Sequence, residues 1–362
     1  MRAVEKCHLA GGTNKYTRIA GPRFKFAFLK FFSASQCLSS GLSFTNVRER
    51  RKPMGSNPVF PVELEREIFE TAALSNPKTI PTLFLVARRV LIWIEPLLYR
   101  VIETKAETAT ALRLAMATKP ASFFENNVRH MLLSHTSAWK GEDSYALLRL
   151  CPRIESLAYI AIGDCSPIVL LPILMNMSHL RRWSGFLRYV FGRREAIDLR
   201  ASFFRTVTHL DIFDVLDDGS TNNMRICADL ATLPALTNLC LTKCAEATIV
   251  RRLLEECPVL RVLVNLWSET DKGQAVARNP GTVDPRYVVI LLPVYAYWED
   301  DWQRGVRGGV DFWAAAESFV AQKRRGEIED LPTSVINVLL IGAGPEGPKI
   351  LGRPSPVVNL RV

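Results

Sequence analysis

An α/β solenoid, built of parallel strands with return helices and preceded by a small α-helical module, is the fold class this chain predicts. Three observations carry it. A short apolar motif recurs every 24–30 residues through the middle of the chain. The stretches between its copies have helical periodicity. An amphipathic helical segment with its own breaks stands before the first copy.

Composition sets the limits. At 362 residues the chain can bury a large core, as one elongated repeat domain or two compact ones. With 48% hydrophobic and 23% charged residues, most of it is expected to be globular. The longest apolar runs, Phe24 to Phe32 and Tyr287 to Tyr297, fall well short of the roughly 20 residues that cross a bilayer. No membrane role is expected. The net charge of +10 is local, because residues 1–53 hold eleven Lys and Arg against only Glu5 and Glu49. The rest carries about +1, so the folded part lacks the basic balance that nucleic acid demands. Eight cysteines are sparse in so long a chain, no CxxC occurs, and the five histidines are scattered. These cysteines read as small buried thiols in a reducing compartment, not as a disulfide framework or a zinc site.

Residues 1–57 are basic, rich in Ser and Gly and poor in acids. The composition resembles a mitochondrial transit peptide, with Phe24 to Phe32 as an amphipathic piece. The favoured readings are a disordered extension, or sequence skipped by a start at Met54. On those readings residues 1–53 are dispensable and the compartment is cytoplasmic and/or nuclear. A mitochondrial address would require the extension to be real.

From Pro61 the pattern sharpens. Leu64, Ile68 and Phe69 fall at helical spacing between Glu63, Glu65, Arg66 and Glu67, which predicts an amphipathic helix whose first-turn acids suit the helix dipole. Asn76-Pro77 ends it. Leu83-Phe84-Leu85-Val86 and Trp93-Ile94 follow, and Pro96 is expected to interrupt the helix before Leu97-Leu98-Tyr99. Three short helices within residues 58–103 cannot bury much alone.

These residues resemble a known family. Phe60-Pro61-Val62-Glu63-Leu64 with Ile68-Phe69 is similar to the opening of an F-box, Leu-Pro-x-Glu-Leu with an Ile-Phe or Ile-Leu pair. Val86-Ala87-Arg88-Arg89-Val90 resembles its second half, Val-Cys-Arg-x-Trp, and Pro96-Leu97-Leu98-Tyr99 its closing Pro-x-Leu-Trp. The departures are Phe60 for Leu, Ala87 for Cys and Val90 for Trp. The stretch is similar to the F-box-like proteins of mushroom-forming fungi. The resemblance implies that Pro61, Leu64, Ile68, Phe69, Val86 and Leu98 meet the adaptor subunit of an SCF-type ubiquitin ligase, and through it a cullin. The physics would be apolar helix faces in an apolar groove.

The repeats begin beyond residue 104. Motifs run Cys151 to Leu157, Met177 to Trp183, Val207 to Phe213, Leu233 to Leu239 and Cys257 to Leu263. Their leading residues Ile154, Leu180, Leu210, Leu236 and Leu260 stand 26, 30, 26 and 24 apart, and one step back lies Val128. Six such units match the leucine-rich-repeat period, and Pro152, Pro234 and Pro258 recur in phase, which a doubly wound domain does not need. Ala247 to Glu256 reads as a return helix. Residues 104–330 are therefore expected to form an irregular leucine-rich-repeat-like solenoid with a C-terminal strand and helix.

In this register Met131, Leu157, Trp183, Phe213, Leu239 and Leu263 point inward. Alternation along a strand then turns two columns outward. One is His130, Ser156, Arg182, Ile212, Asn238 and Val262; the other is Leu132, Ala158, Ser184, Asp214, Cys240 and Val264. Solenoids bind partners on such a wall. Its central polar members Arg182, Asp214 and Asn238 are the expected contacts to a protein substrate, against the plainer reading of solvated strand positions.

After Trp267 the repeat fades. Arg286 to Pro293 reads as a buried strand, Glu299 to Trp302 and Gly305 to Gly309 as loop, and Asp311 as the cap of a helix from Phe312 to about Arg324. The Gly-rich loop with Arg304 and Arg307 has the composition of an anion cradle, although a solvated turn is favoured. Residues 331–362 are expected to be a poorly anchored tail. There a strand-like run from Val335 to Ile341 meets Gly342-Ala343-Gly344-Pro345-Glu346-Gly347. Pro348, Pro354 and Pro356 leave no room for the helix and acid of a dinucleotide site. No cofactor or metal is expected.

No GxSxG elbow, P-loop or HExxH occurs. The expected function is that of a non-catalytic interaction protein, a substrate-recognition subunit of an SCF-type ligase. The alternative is a repeat scaffold whose N-terminal helices only cap the solenoid.

Overall fold

Stacking of like units decides the architecture. The computed structural model describes residues 60–135, 138–161, 170–217, 219–244, 246–268, 270–292, 295–327 and 335–337. Nine strands form one open sheet: β1 (Val101–Glu103), β2 (His130–His135), β3 (Ser156–Ala161), β4 (Arg182–Gly185), β5 (His209–Ile212), β6 (Asn238–Thr242), β7 (Val262–Trp267), β8 (Tyr287–Leu291) and β9 (Val335–Asn337). They lie in chain order and each neighbouring pair is parallel. A unit that cannot bury its apolar face alone stacks on the one before it, so chain order becomes spatial order.

One backbone device repeats along the array. The residue just before a strand offers its carbonyl to two N–H groups of the next unit. Arg100 accepts from Arg129 and His130, Arg129 from Glu155 and Ser156, and Glu155 from Arg181 and Arg182. Arg181 then accepts from Thr208 and His209, Thr208 from Thr237 and Asn238, and Thr237 from Arg261 and Val262. Residues of equal rank are thereby held in columns.

The N-terminal module comprises α1 (Val62–Ser75), the short α2 (Ile80–Leu83) and α3 (Arg88–Tyr99). Its small core is Ala73, Ile80, Val90 and Ile94, with Phe69, Phe84, Trp93 and Leu98 packed against it. Arg89 grips Glu65 with two nitrogens, at 2.7 and 3.0 Å. Pro96 does not interrupt α3: the helix runs to Tyr99, because the buried Tyr99 ring meets Phe123 and Phe124 edge-on at 5.0 and 6.1 Å. Lys119 adds an ion pair to Glu95 at 2.8 Å.

Return helices α4 (Ala109–Thr118), α5 (Ala121–Asn127), α6 (Gly141–Leu150), α7 (Leu171–Leu174), α8 (Leu187–Phe191), α9 (Thr221–Ala231), α10 (Ala247–Glu256) and α11 (Thr270–Arg278) connect the strands. They pack on the face that presents Met131, Leu157, Trp183, Leu210, Leu239 and Leu263, all fully buried and in register. Tyr159 of β3 meets Tyr189 of α8 there, at 5.4 Å. The β4 strand ends on Gly185 at φ +150°, where a Cβ would stand 2.7 Å from the Tyr159 carbonyl oxygen.

The β5 unit corrects the expected register. Leu210, not Phe213, occupies the inward row, and Val207 is the leading residue. Val207, Leu210 and Phe213 offer two overlapping apolar pairs three apart, and packing selects the earlier. His209 and Asp211 therefore take the places expected for Ile212 and Asp214.

A second correction concerns the opposite face. Helix α12 (Tyr295–Val306) and helix α13 (Phe312–Arg324) cover the two outward columns. Leu132, Ala158, Cys240, Val264 and Val288 share a core with Trp298, Trp302, Phe312, Trp313, Phe319 and Val320. Glu299 to Trp302 is helix, not loop, because Trp298 and Trp302 bury themselves one turn apart. Asp311 caps α13 as expected, accepting from Ala314 N at 2.9 Å.

At the ends, β1 already belongs to the sheet although it lies in the segment assigned to the module. Val335–Asn337, within the expected tail, pairs with β8. The basic segment 1–57 and the GxGxxG stretch lie outside the described residues.

Candidate interaction surfaces

The module keeps its apolar side chains in two classes. Phe69 and Leu98 turn into its core and are half-buried. Pro61, Leu64, Ile68 and Val86 face solvent, Leu64 at 48%, Ile68 at 53% and Val86 at 57% exposure. Leu64 and Ile68 lie one turn apart on α1, on the side away from Phe69 and Ala73. Phe60, Val62, Leu74, Leu85 and Ile92 are exposed as well, so eight of the thirteen large apolar side chains exposed among the described residues belong to this module. The strand-and-return-helix array, much the larger part, holds only four, Met175, Val215, Val259 and Val283.

The expected substrate column has a different fate. Arg182 lies 3.3 Å from Asp311, and Asn238 donates to Glu317 at 2.8 Å. His209, its neighbour on β5, sits 3.7 Å from the same Glu317 carboxylate and edge-on to Trp313 at 5.4 Å. Asn238 and His209 are thus met by α13, and Arg182 spends one nitrogen on the Asp311 cap of that helix. Asp214 is not in the column at all. It accepts the Leu187 N–H at the start of α8, and burial pushes its pKa up. The three residues expected to bind substrate are thus not brought together in one site: Arg182 lines a cleft that neither Asp214 nor Asn238 reaches.

Sequence reasoning missed the buried acids under the helix pair. Asp211 is wholly buried, receives Trp298 Nε1 at 3.1 Å and lies against the Cys240 thiol, and among the described residues its Oδ1 has no hydrogen-bond partner. Burial pushes its pKa up to about 7. Asp301, also fully buried, accepts from Phe312 N at 2.9 Å and Arg304 Nη1 at 3.0 Å, and burial raises it to about 6. Arg304 is thereby committed to the fold. Arg307 instead lines a cleft of about 480 Å³ at the N-terminal ends of the first strands.

The thiols of the described residues lie away from these surfaces, in the core. Cys151, Cys227, Cys240, Cys244 and Cys257 are free and buried, and burial pushes Cys151 up to about 12 and Cys227, Cys244 and Cys257 to about 11. Such thiols stay protonated at neutral pH. Among the described residues no cluster of three or more His, Cys, Asp or Glu is placed to hold a metal ion, and no helix is long and apolar enough to cross a membrane. The chain matches no family model, and no curated protein matches it.

Proposed function

We propose that this is a non-catalytic interaction protein, an F-box-like substrate-recognition subunit whose helical module docks on the adaptor of an SCF-type ubiquitin ligase. The observation that supports it is the concentration of exposed apolar side chains on α1, α3 and the turn between them. Exposed apolar patches on a folded surface are covered by partners. Helices that merely capped the array would turn such residues toward it. Here the join is made by Tyr99 and Lys119 instead, which leaves Leu64, Ile68 and Val86 to meet an apolar groove. A protein substrate would then engage surfaces other than the sheet face that α12 and α13 close.

The test is the Leu64→Asp, Ile68→Asp pair. Both side chains are about half exposed, so the fold is expected to persist, whereas each charge placed in an apolar contact costs several kcal/mol of binding. Pull-down of the adaptor should be lost while the far-UV dichroism stays unchanged. Undiminished recovery of adaptor by a folded double variant would assign the module to capping alone.

A further inference from the structure

The repeated carbonyl device has a consequence at the lower edge of the sheet. It places Arg100, Arg129, Glu155 and Arg181 at one rank in successive units, and His130 and Arg182 one residue further on. Three of four residues at that rank are arginines. The edge is roofed by the module, through Leu74, Pro77, Ile80 and Leu97, and walled by the end of α12 with Val306, Arg307 and Gly308. The cleft, open to solvent on one side, measures about 480 Å³, the size of a small-molecule site.

We infer that this cleft binds a phosphate-type oxyanion, a phosphomonoester, through Arg100, Arg181, Arg182 and Arg307 with His130 at its floor. Four arginines line it, against one acid in the lining, Glu155, while Glu103 lies near enough to act on Arg307. Glu155 is itself drawn to Arg129 at 3.7 Å. Among the described residues the side chains of Arg100 and Arg307 have no hydrogen-bond partner, while Arg181 uses one nitrogen on the Thr206 carbonyl and Arg182 one on Asp311. Each guanidinium carries five N–H donors, so Arg181 and Arg182 keep further donors after these single contacts. His130 is 9% exposed, and its buried Nδ1 has no partner. A buried ring nitrogen left unpaired is costly unless something polar completes it. Burial and the fields of Arg100, Arg182, Arg129 and Arg307 hold its pKa down to about 4, so the ring is neutral at pH 7.

The chemistry selects phosphate. A single carboxylate cannot use four guanidinium forks, whereas a phosphomonoester carries close to two charges and three terminal oxygens that match them. Nucleic acid does not fit, because the chain beyond residue 53 carries only about +1 and the cleft is roofed. The apolar wall of Leu74, Pro77, Ile80 and Leu97 would take the carbon stem beside the head group. That stem belongs either to a phosphorylated side chain of a peptide or to a small phosphoester. This inference does not rest on the adaptor-binding reading.

Calorimetric titration of the full chain tests it, with inorganic phosphate, phenyl phosphate, and one peptide in phosphotyrosyl and unmodified forms. Inorganic phosphate should bind saturably, and Arg100→Ala with Arg307→Ala should weaken it at least about tenfold. The melting temperature without phosphate should stay nearly unchanged, since among the described residues neither guanidinium is hydrogen-bonded and Arg307 has only the field of Glu103. The His130 ring resonance should titrate at higher pH when phosphate is bound. Tighter binding of the phosphotyrosyl peptide than of phenyl phosphate would assign the ligand to a protein, and the reverse order to a small phosphoester. Equal binding of the unmodified peptide, phosphate affinity unchanged in the double variant, or no saturable phosphate binding would each overturn the assignment.

Discussion

Asp211 sits where a hydrophobic residue would be easier to place. It lies on β5 beside Cys240, under Trp298, with one oxygen paired and the other bare. Its folded pKa of about 7 stands above the ordinary 3.8, so the folded state holds a proton that the unfolded chain has released. Stability from this group is therefore present below about pH 4, falls as pH rises toward 7, and is flat beyond. Asp301 adds the same sign over a window ending near pH 6. Asp211→Asn should leave thermal stability near pH 4 little changed and raise the melting point at pH 8 by a few degrees. Scanning calorimetry across that range checks it, and an unaltered slope would refute the role given to Asp211. The sequence did not reveal this acid. Val207, Leu210 and Phe213 allowed two frames, and the wrong one put Asp214 in its place. Aligning Thr208-His209-Leu210 with Thr237-Asn238-Leu239 finds the right frame, since both threonines accept the next unit's N–H groups.

Single elements were more legible than their packing. The helix at Ala247–Glu256, the strand at Tyr287–Leu291 and the Asp311 cap all lie where periodicity and capping put them. What periodicity does not contain is which face a helix covers. The clue was compositional: a solvated wall has no use for Leu132, Cys240, Val262 and Val264, and a helix carrying Phe312, Trp313, Ala315, Ala316, Phe319 and Val320 has too broad an apolar surface for an edge position. The corner between α12 and α13 is the tightest point of this cover. A Cβ on Gly305 would fall 2.1 Å from Asp311 Oδ2 and 2.7 Å from its Cβ. Gly305→Ala should thus displace the α13 cap and the Arg182 contact together, costing roughly 1–3 kcal/mol by chemical denaturation. A variant as stable as the parent would mean that the corner has slack.

At the scale of the whole molecule, chain-order pairing makes a solenoid quasi-one-dimensional, each unit touching only its neighbours, and such arrays tend to unfold in pieces. The recurrence of the motif was enough to foresee that order, because stacking follows from the period. It could not show that residues distant in sequence tie the array together. Gln303 donates to Glu103 at the end of β1, Asp311 holds Arg182 on β4, Glu317 holds Asn238 on β6, and Phe319 shares a core with Val288 and Ile290 on β8. The helix pair therefore straps the first strands to the last, and cooperativity should depend on it. In urea, tryptophan fluorescence and far-UV dichroism should report coincident transitions for the parent chain. Phe319→Ala removes a buried ring from the strap and leaves every tryptophan in place. It should cost about 3–5 kcal/mol, and the two probes should separate as the slope of the transition falls. A variant that loses stability while its probes stay coincident would show that the parallel ladder alone couples the units.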